Sequence, residues 1–195
     1  MSKNNRSIPH FYLASQSPRR KSLLQEHGFS FTQIPNLLGT EPRLEPRISI
    51  PDQVQDLALQ KAMASVGSYQ GLILGVDTVV VLDDLILGKP RDLQEATEML
   101  SSLSDRTHSV YTGLGLYDSV SQKHVSSHDL TLVTFSPLTP SQIQDYCHRY
   151  EVLDKAGSYG IQDLPDGFVQ SYEGHYDTVV GLPIQKLGPL FFEIL

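Results

Sequence analysis

Hydrophobic and polar positions switch between two periods along this chain, and the switches mark its elements. A short apolar run at residues 10–14 predicts a strand. Ser17-Pro18 then offers an N-cap with proline at the first helical position, and Gly28 ends that helix, placing Leu23, Leu24 and His27 on one side. Residues 29–34 alternate as a second strand would, and the proline-rich stretch 35–51 predicts an exposed loop. After it, Val54, Leu57, Ala58, Ala62 and Val66 recur at helical spacing. Residues 71–82 form a long β-branched run, which predicts a central strand, and Asp83-Asp84 turns the chain into a short strand ending at Gly88. Asp92 and Glu95 resemble a capping box, opening a helix with Leu93, Ala96, Leu100 and Leu103 inward. Residues 107–117 and 125–135 predict an antiparallel pair, Thr139-Pro140 starts another helix, 168–172 and 178–180 read as strands, and Pro183 opens the last helix. Strands interspersed with helices and hairpins predict a mixed α/β sheet rather than a strictly doubly wound one.

A length of 195 residues with 39% hydrophobic content fits one large domain, residues 1–195, or two small lobes sharing a cleft. The formal net charge of -7 disfavours a general nucleic-acid partner, whose binder needs a basic surface. A small anionic ligand remains compatible, because a few local cations outweigh a diffuse negative field. Cys147 is the sole cysteine, so an internal disulfide is impossible, which suits a reducing compartment. Residues 1–15 lack the apolar centre of a signal peptide, and no segment approaches the ~18 apolar residues that span a bilayer. The expectation is a soluble cytoplasmic protein with no membrane partner.

Against this background a few charges sit where the pattern does not want them. Arg19 and Arg20 occupy the first turn of the first helix, where free N–H groups and the helix dipole favour anions. Each works against the dipole by roughly a few tenths of a kcal/mol. A bound phosphate would reverse that sign, with the Ser15 and Ser17 hydroxyls and two guanidinium forks converging on it. The alternative is two solvated surface arginines. Asp77 is the single charge in the middle of an apolar strand; unpaired and buried it would cost roughly several kcal/mol. It therefore lies at an opening of the sheet, meets a cation, or holds a metal. Lys61 shares the apolar face of its helix, which ordinary snorkelling also explains, and Lys89 is presented from the stiff turn Gly88-Lys89-Pro90. Together these groups supply what phosphoryl transfer needs: charge neutralisation, positioning and a base for water.

Five segments in order, Leu13-Ala-Ser-Gln-Ser-Pro-Arg-Arg20, Asp77-Thr-Val-Val80, Gly88-Lys-Pro90, Asp154-Lys-Ala-Gly-Ser-Tyr-Gly-Ile-Gln162 and Val179-Val-Gly-Leu-Pro183, resemble the Maf nucleotide pyrophosphatases across essentially the whole chain. The resemblance implies a Maf and ITPase-like fold, with two lobes around a central cleft, and a divalent metal. It implies Asp77 as the acceptor of a proton from the attacking water, and Ser15, Arg19, Lys61 and Lys89 as phosphate-binding, with Lys155 a further substrate contact. The Ser-Pro-Arg-Arg start and the Lys-Ala-Gly-x-Tyr-Gly-Ile-Gln block are similar to the branch acting on dTTP and UTP, and differ from the branch acting on 7-methyl-GTP. Arg20, Thr78 and Gln162 then fall on specificity positions. An amide suits that task, since its donor and acceptor match the alternating edge of uracil or thymine.

Three positions depart from the family's pattern. Asp163 follows Gln162 where Gly is usual, and Thr178 replaces the usual Asn. The acidic residue expected soon after the second strand is displaced, with Glu41 the candidate metal ligand beside Asp77 and Glu45 behind it. A homodimer is also implied by the resemblance. Other constellations fail on geometry. His124 and His128 are four apart on a predicted strand, ~13 Å and too far for one ion. Cys147 and His148 point in different directions on a helix, leaving Cys147 an inert, partly buried thiol. P-loop, Gly-x-Ser-x-Gly and cysteine zinc patterns are absent from the sequence. The metal expected is Mg2+ or Mn2+, held by one or two carboxylates and the substrate's phosphates. The reading from another class is a non-catalytic nucleotide-binding regulator of septum formation and cell division, which would keep the cations but need no activated water.

Overall fold

The computed structural model describes residues 8–40, 42 and 44–195. The chain runs through β1 (Phe11–Ala14), α1 (Pro18–Glu26), β2 (Phe31–Ile34), α2 (Ile50–Met63), β3 (Leu72–Leu82) and β4 (Leu85–Leu87). It continues through α3 (Leu93–Leu103), β5 (Thr107–Asp118), β6 (His124–Phe135), α4 (Pro140–Arg149), two 3-10 turns at Ala156–Ser158 and Ile161–Asp163, β7 (Val169–Glu173), α5 (Tyr176–Val180) and α6 (Ile184–Ile194). The first four helices begin where a short polar side chain can take an orphan N–H: Ser17, Ser49, Asp92 and Thr139 each accept from the third residue beyond. Among the described residues no helix is long and apolar enough to cross a membrane.

The strands form one mixed sheet in the order β2-β1-β3-β5-β6-β7, with β4 attached to β3. β3 pairs antiparallel with β5 along nearly its whole length, from Leu72 opposite Asp118 to Val81 opposite Ser109. Its other edge is treated differently. β1 runs parallel beside it only at Ile73 and Leu74, and β4 returns antiparallel only from Val80 to Leu82. Among the described residues, 75–79 have no strand on that edge. The sheet is therefore open at the middle of its most apolar strand, and β1 ends and α1 begins beside the opening.

Each face of the sheet is covered by its own set of helices. α2 lies very close to one face because Gly75, Gly113 and Gly115 present no side chain there. An added Cβ would stand 2.0 Å from the Ala58 carbonyl oxygen, 2.2 Å from that of Val54 and 2.3 Å from the Leu59 nitrogen, respectively. The opposite face carries two hydrophobic clusters. One gathers Leu24, Leu74, Val76, Leu114, Leu187 and Phe191; the other gathers Val80, Leu82, Leu100, Val110, Phe135 and Tyr146. β3 contributes to both, and its open stretch runs between them.

Several expectations need correction. Residues 178–180 are not a strand but part of α5. Their β-branched preference yields to burial of Thr178 and Val179 and to Gly181, whose φ of +110° closes the turn so that its N–H and that of Leu182 both reach the Asp177 carbonyl. α2 stops at Met63, so Val66 lies beyond the helix and is exposed, bridging to Tyr69. Leu93, at the first helical position of α3, faces outward, while Ala96, Leu100 and Leu103 point into the core. His27 is the exposed C-cap of α1, its Nδ1 donating to the Leu23 carbonyl. Glu95 does not close a box on Asp92; its Oε2 accepts from the backbone and Nε of Arg91. His124 and His128 do lie on β6, opposite Tyr117 and Gly113. Cys147 is buried, and burial pushes its thiol above the usual range.

Candidate active site

The opening in the sheet is the floor of a cleft of about 1040 Å³, a volume suited to a nucleotide-sized ligand. Asp77 stands in it with 7% of its surface exposed. A lone carboxylate at that depth would be expelled or protonated. Lys61, buried to the same extent on α2, answers it: its Nζ donates to Asp77 Oδ1 at 2.6 Å. The close seat of α2 on the three glycines brings the ammonium within reach. Lys61 is thus neither snorkelling nor solvated, and two of the sequence expectations for Asp77, an opening in the sheet and a cation, hold together.

The first turn of α1 forms one wall. Arg20 is fixed from three directions: Nε donates to the Gly181 carbonyl at 2.8 Å, one terminal nitrogen to Ser15 Oγ at 3.0 Å, and the other to Thr78 Oγ1 at 3.1 Å. Arg19 reaches across to Asp154 at 3.1 Å, so neither arginine is a solvated surface group. Ser17 is spent as the N-cap, accepting from the Arg20 N–H. The dipole cost of two first-turn cations is offset here by a carboxylate and neutral acceptors.

The facing wall comes from irregular backbone. Lys155 is buried, donating to the Glu151 carbonyl and to Asp154 at 2.9 Å, with Asp163 at 3.8 Å. Burial alone would push the Asp154 carboxyl up; the Lys155 hydrogen bond and the Arg19 charge outweigh it and hold it below the usual carboxylate range. Lys89 is exposed at the rim, on a turn secured where the Gly157 N–H donates to the Gly88 carbonyl at 3.0 Å. Gln162 is exposed and does not line the cleft; its amide donates to Asp163 at 2.8 Å, the residue that departs from the family pattern. Glu41 lies outside the described residues. Glu45 does not line the cleft, and its backbone exchanges hydrogen bonds with Gln53. Among the described residues no group of three or more His, Cys, Asp or Glu is placed to hold a metal.

Sequence reasoning missed several groups. Asp154 occupies Arg19, Glu95 and Met99 of α3 line the cleft, and Tyr159 backs it. Buried His108 meets the Tyr159 hydroxyl at 2.7 Å. Burial lowers the His108 pKa to about 4 and raises that of Tyr159, so both are neutral. A second buried carboxylate, Asp129 on β6, accepts from Thr178 Oγ1 at 2.5 Å, His175 Nδ1 at 2.9 Å and Gln185 Nε2 at 2.9 Å, with Lys186 at 3.7 Å. Thr178, the second departure from the family pattern, is therefore a donor to this carboxylate. Nothing in the apolar pattern flagged Asp129, because five of the first six residues of its strand are polar.

Known proteins bear on the same residues. The family described as Maf-like protein matches residues 10–193. A dTTP/UTP pyrophosphatase of Desulforamulus reducens is 44% identical over 177 residues, covering 90% of this chain and 92% of its own. One of Bacillus cytotoxicus is 46% identical over 178 residues, 91% of each chain. Among solved structures, a HAM1 protein from Coxiella burnetii superposes over 94% of this chain and 98% of its own with a TM-score of 0.51; at 16% identity that is a likeness of fold alone. A match over nearly the full length, together with the ordered motifs that converge on one cleft, makes this chain a member of the Maf family.

Proposed function

We propose that the cleft hydrolyses a pyrimidine nucleoside triphosphate, dTTP or UTP, to the monophosphate and pyrophosphate, with Asp77 accepting the proton of the attacking water. One observation carries this reading: among the described residues, the stretch of β3 without a strand on one edge exposes a carboxylate otherwise buried, with cations arranged around it. The names of the relatives, dTTP/UTP pyrophosphatases, support the choice of substrate.

Asp77 is fixed at Oδ1 by Lys61, which leaves Oδ2 to orient water and take its proton. The water attacks the α-phosphorus in line and pyrophosphate leaves on the opposite side. Negative charge gathers on the phosphate oxygens and on the leaving group. Arg19, Lys89 and Lys155 neutralise it, with Arg19 exchanging Asp154 for a phosphate and Ser15 completing the cradle. Arg20 and Thr78 face the substrate as a rigid pair, whereas Gln162, held by Asp163 outside the cleft lining, reaches the base edge only by giving up that bond. Mg2+ or Mn2+ fits the hard oxygen donors available, with Asp77 and the substrate's phosphates holding it; when bound it neutralises phosphate charge.

The test is pyrophosphate release from each nucleoside triphosphate in the presence of Mg2+. The expected result is turnover of dTTP and UTP at least about tenfold above the purine nucleotides in kcat/KM. A protein that binds these nucleotides and turns over none of them would overturn the reading and favour a non-catalytic regulator.

A further inference from the structure

Behind the cleft lies a line of hydroxyls whose direction the structure determines. Thr78 and Thr112 are direct partners on β3 and β5, and their hydroxyl oxygens are 2.9 Å apart. Thr112 is fully buried, does not line the cleft, and donates to the Thr178 carbonyl at 2.8 Å. A threonine has one hydroxyl proton. With that of Thr112 committed to Thr178, the proton between the two threonines must belong to Thr78. Thr78 therefore turns its proton inward and its lone pair toward Arg20, whose terminal nitrogen donates to it at 3.1 Å. The line runs one way: Arg20 to Thr78, Thr78 to Thr112, Thr112 to the Thr178 carbonyl.

The far end is anchored. The Thr178 hydroxyl donates to buried Asp129, and the backbone of His175 exchanges two hydrogen bonds with Thr131, so α5 is tied to β5 and β6. The same short helix ends at Gly181, whose carbonyl takes the Arg20 Nε at 2.8 Å. A side chain at Gly181 would stand 3.2 Å from Thr78 Oγ1, so the two supports of the guanidinium are packed against each other. Reversing the Thr112 hydroxyl would present a proton where Thr78 needs an acceptor.

We propose that Thr112 is a positioning residue for substrate selection: from one strand behind the cleft it sets the polarity of Thr78 and so the plane of the Arg20 guanidinium. A guanidinium offers donors only, so a fixed plane selects a base by its carbonyl acceptors and rejects an exocyclic amine at the same place. This rests on the nucleotide pyrophosphatase reading above.

The test compares Thr112→Val, which keeps the shape and removes the hydroxyl, with Thr112→Ser, which keeps the hydroxyl. Steady-state rates of pyrophosphate release are measured with UTP and CTP, and thermal unfolding is followed alongside. The expected result for Val is a KM for UTP raised about tenfold, a preference for UTP over CTP reduced about tenfold and a kcat within about threefold, with Ser restoring both KM and preference. Should the Val protein not fold, Thr112→Cys, whose thiol is a poor donor and acceptor, gives the same comparison. A folded Val or Cys variant with unchanged KM and unchanged base preference overturns the positioning role while leaving the reaction intact. Absence of pyrophosphate release from the unaltered protein overturns the reading beneath it.

Discussion

Two carboxylates are buried to nearly the same depth in this sheet, Asp77 at 7% and Asp129 at 9% exposure, and their surroundings differ in kind. Asp129 is enclosed by a hydroxyl, an imidazole and an amide, with an ammonium just beyond hydrogen-bonding distance. Its donors come from α5, α6 and the residue before α5, so the carboxylate clamps those elements to β6. Asp77 takes one strong contact, from Lys61, and otherwise faces the cleft. Depth alone therefore does not identify a reactive carboxylate. The useful distinction is how many lone pairs the protein satisfies and which side is left toward a ligand.

Removal of the enclosed carboxylate has the largest expected effect. Asp129→Ala leaves a hydroxyl, an amide and an imidazole without their shared acceptor, and the unfolding free energy should fall by about 3–5 kcal/mol in denaturant titrations. A loss below about 1 kcal/mol would mean that Asp129 clamps nothing.

His108 extends the comparison to a buried base kept neutral. Its folded pKa of about 4 lies below the ordinary 6.5, so between those values the unfolded chain holds a proton that the native one refuses. Its contribution is complete above pH 6.5, declines as the pH falls toward 4 and is level below that. The decline amounts to about 3 kcal/mol. Melting curves across that interval should show it, and His108→Phe should flatten it; an equal slope in the variant would assign the pH dependence elsewhere.

The rim ion pair gives the smallest effect on stability. Arg19 and Asp154 are 21% and 50% exposed in their side chains, so Arg19→Gln should change stability by less than about 1 kcal/mol. In nucleotide hydrolysis the same change should raise KM about tenfold, since a charged contact to phosphate is lost. An unchanged KM would remove Arg19 from the phosphate site.

How much of this was legible in the sequence depended on contrast. Asp77 stood out because it is the one charge in a strand that is otherwise apolar except for Thr78, and the arginines because a helix start repels them. The glycines that seat α2 on the sheet were visible as letters, but their shared face appears only once β3 and β5 are in register. Thr112 was silent for the same reason: its meaning depends on Thr78 across the ladder and on a carbonyl 66 residues away. Residues 178–180 misled because three β-branched side chains suggest a strand, while burial and a left-handed glycine impose a helical turn. In sequence Glu95 reads only as a helix-capping acid and Asp154 only as the start of a family segment, because their position over the cleft is set by tertiary structure.

On the proposed mechanism Asp77 is buried for chemistry, whereas Asp129 is buried for structure. Asp77→Asn, assayed for pyrophosphate release from dTTP and for dTTP binding by calorimetry, tests it most directly. The account predicts a fall in kcat of about 10³-fold with the dissociation constant changed by less than about threefold. Turnover within about tenfold of the unaltered enzyme would contradict it.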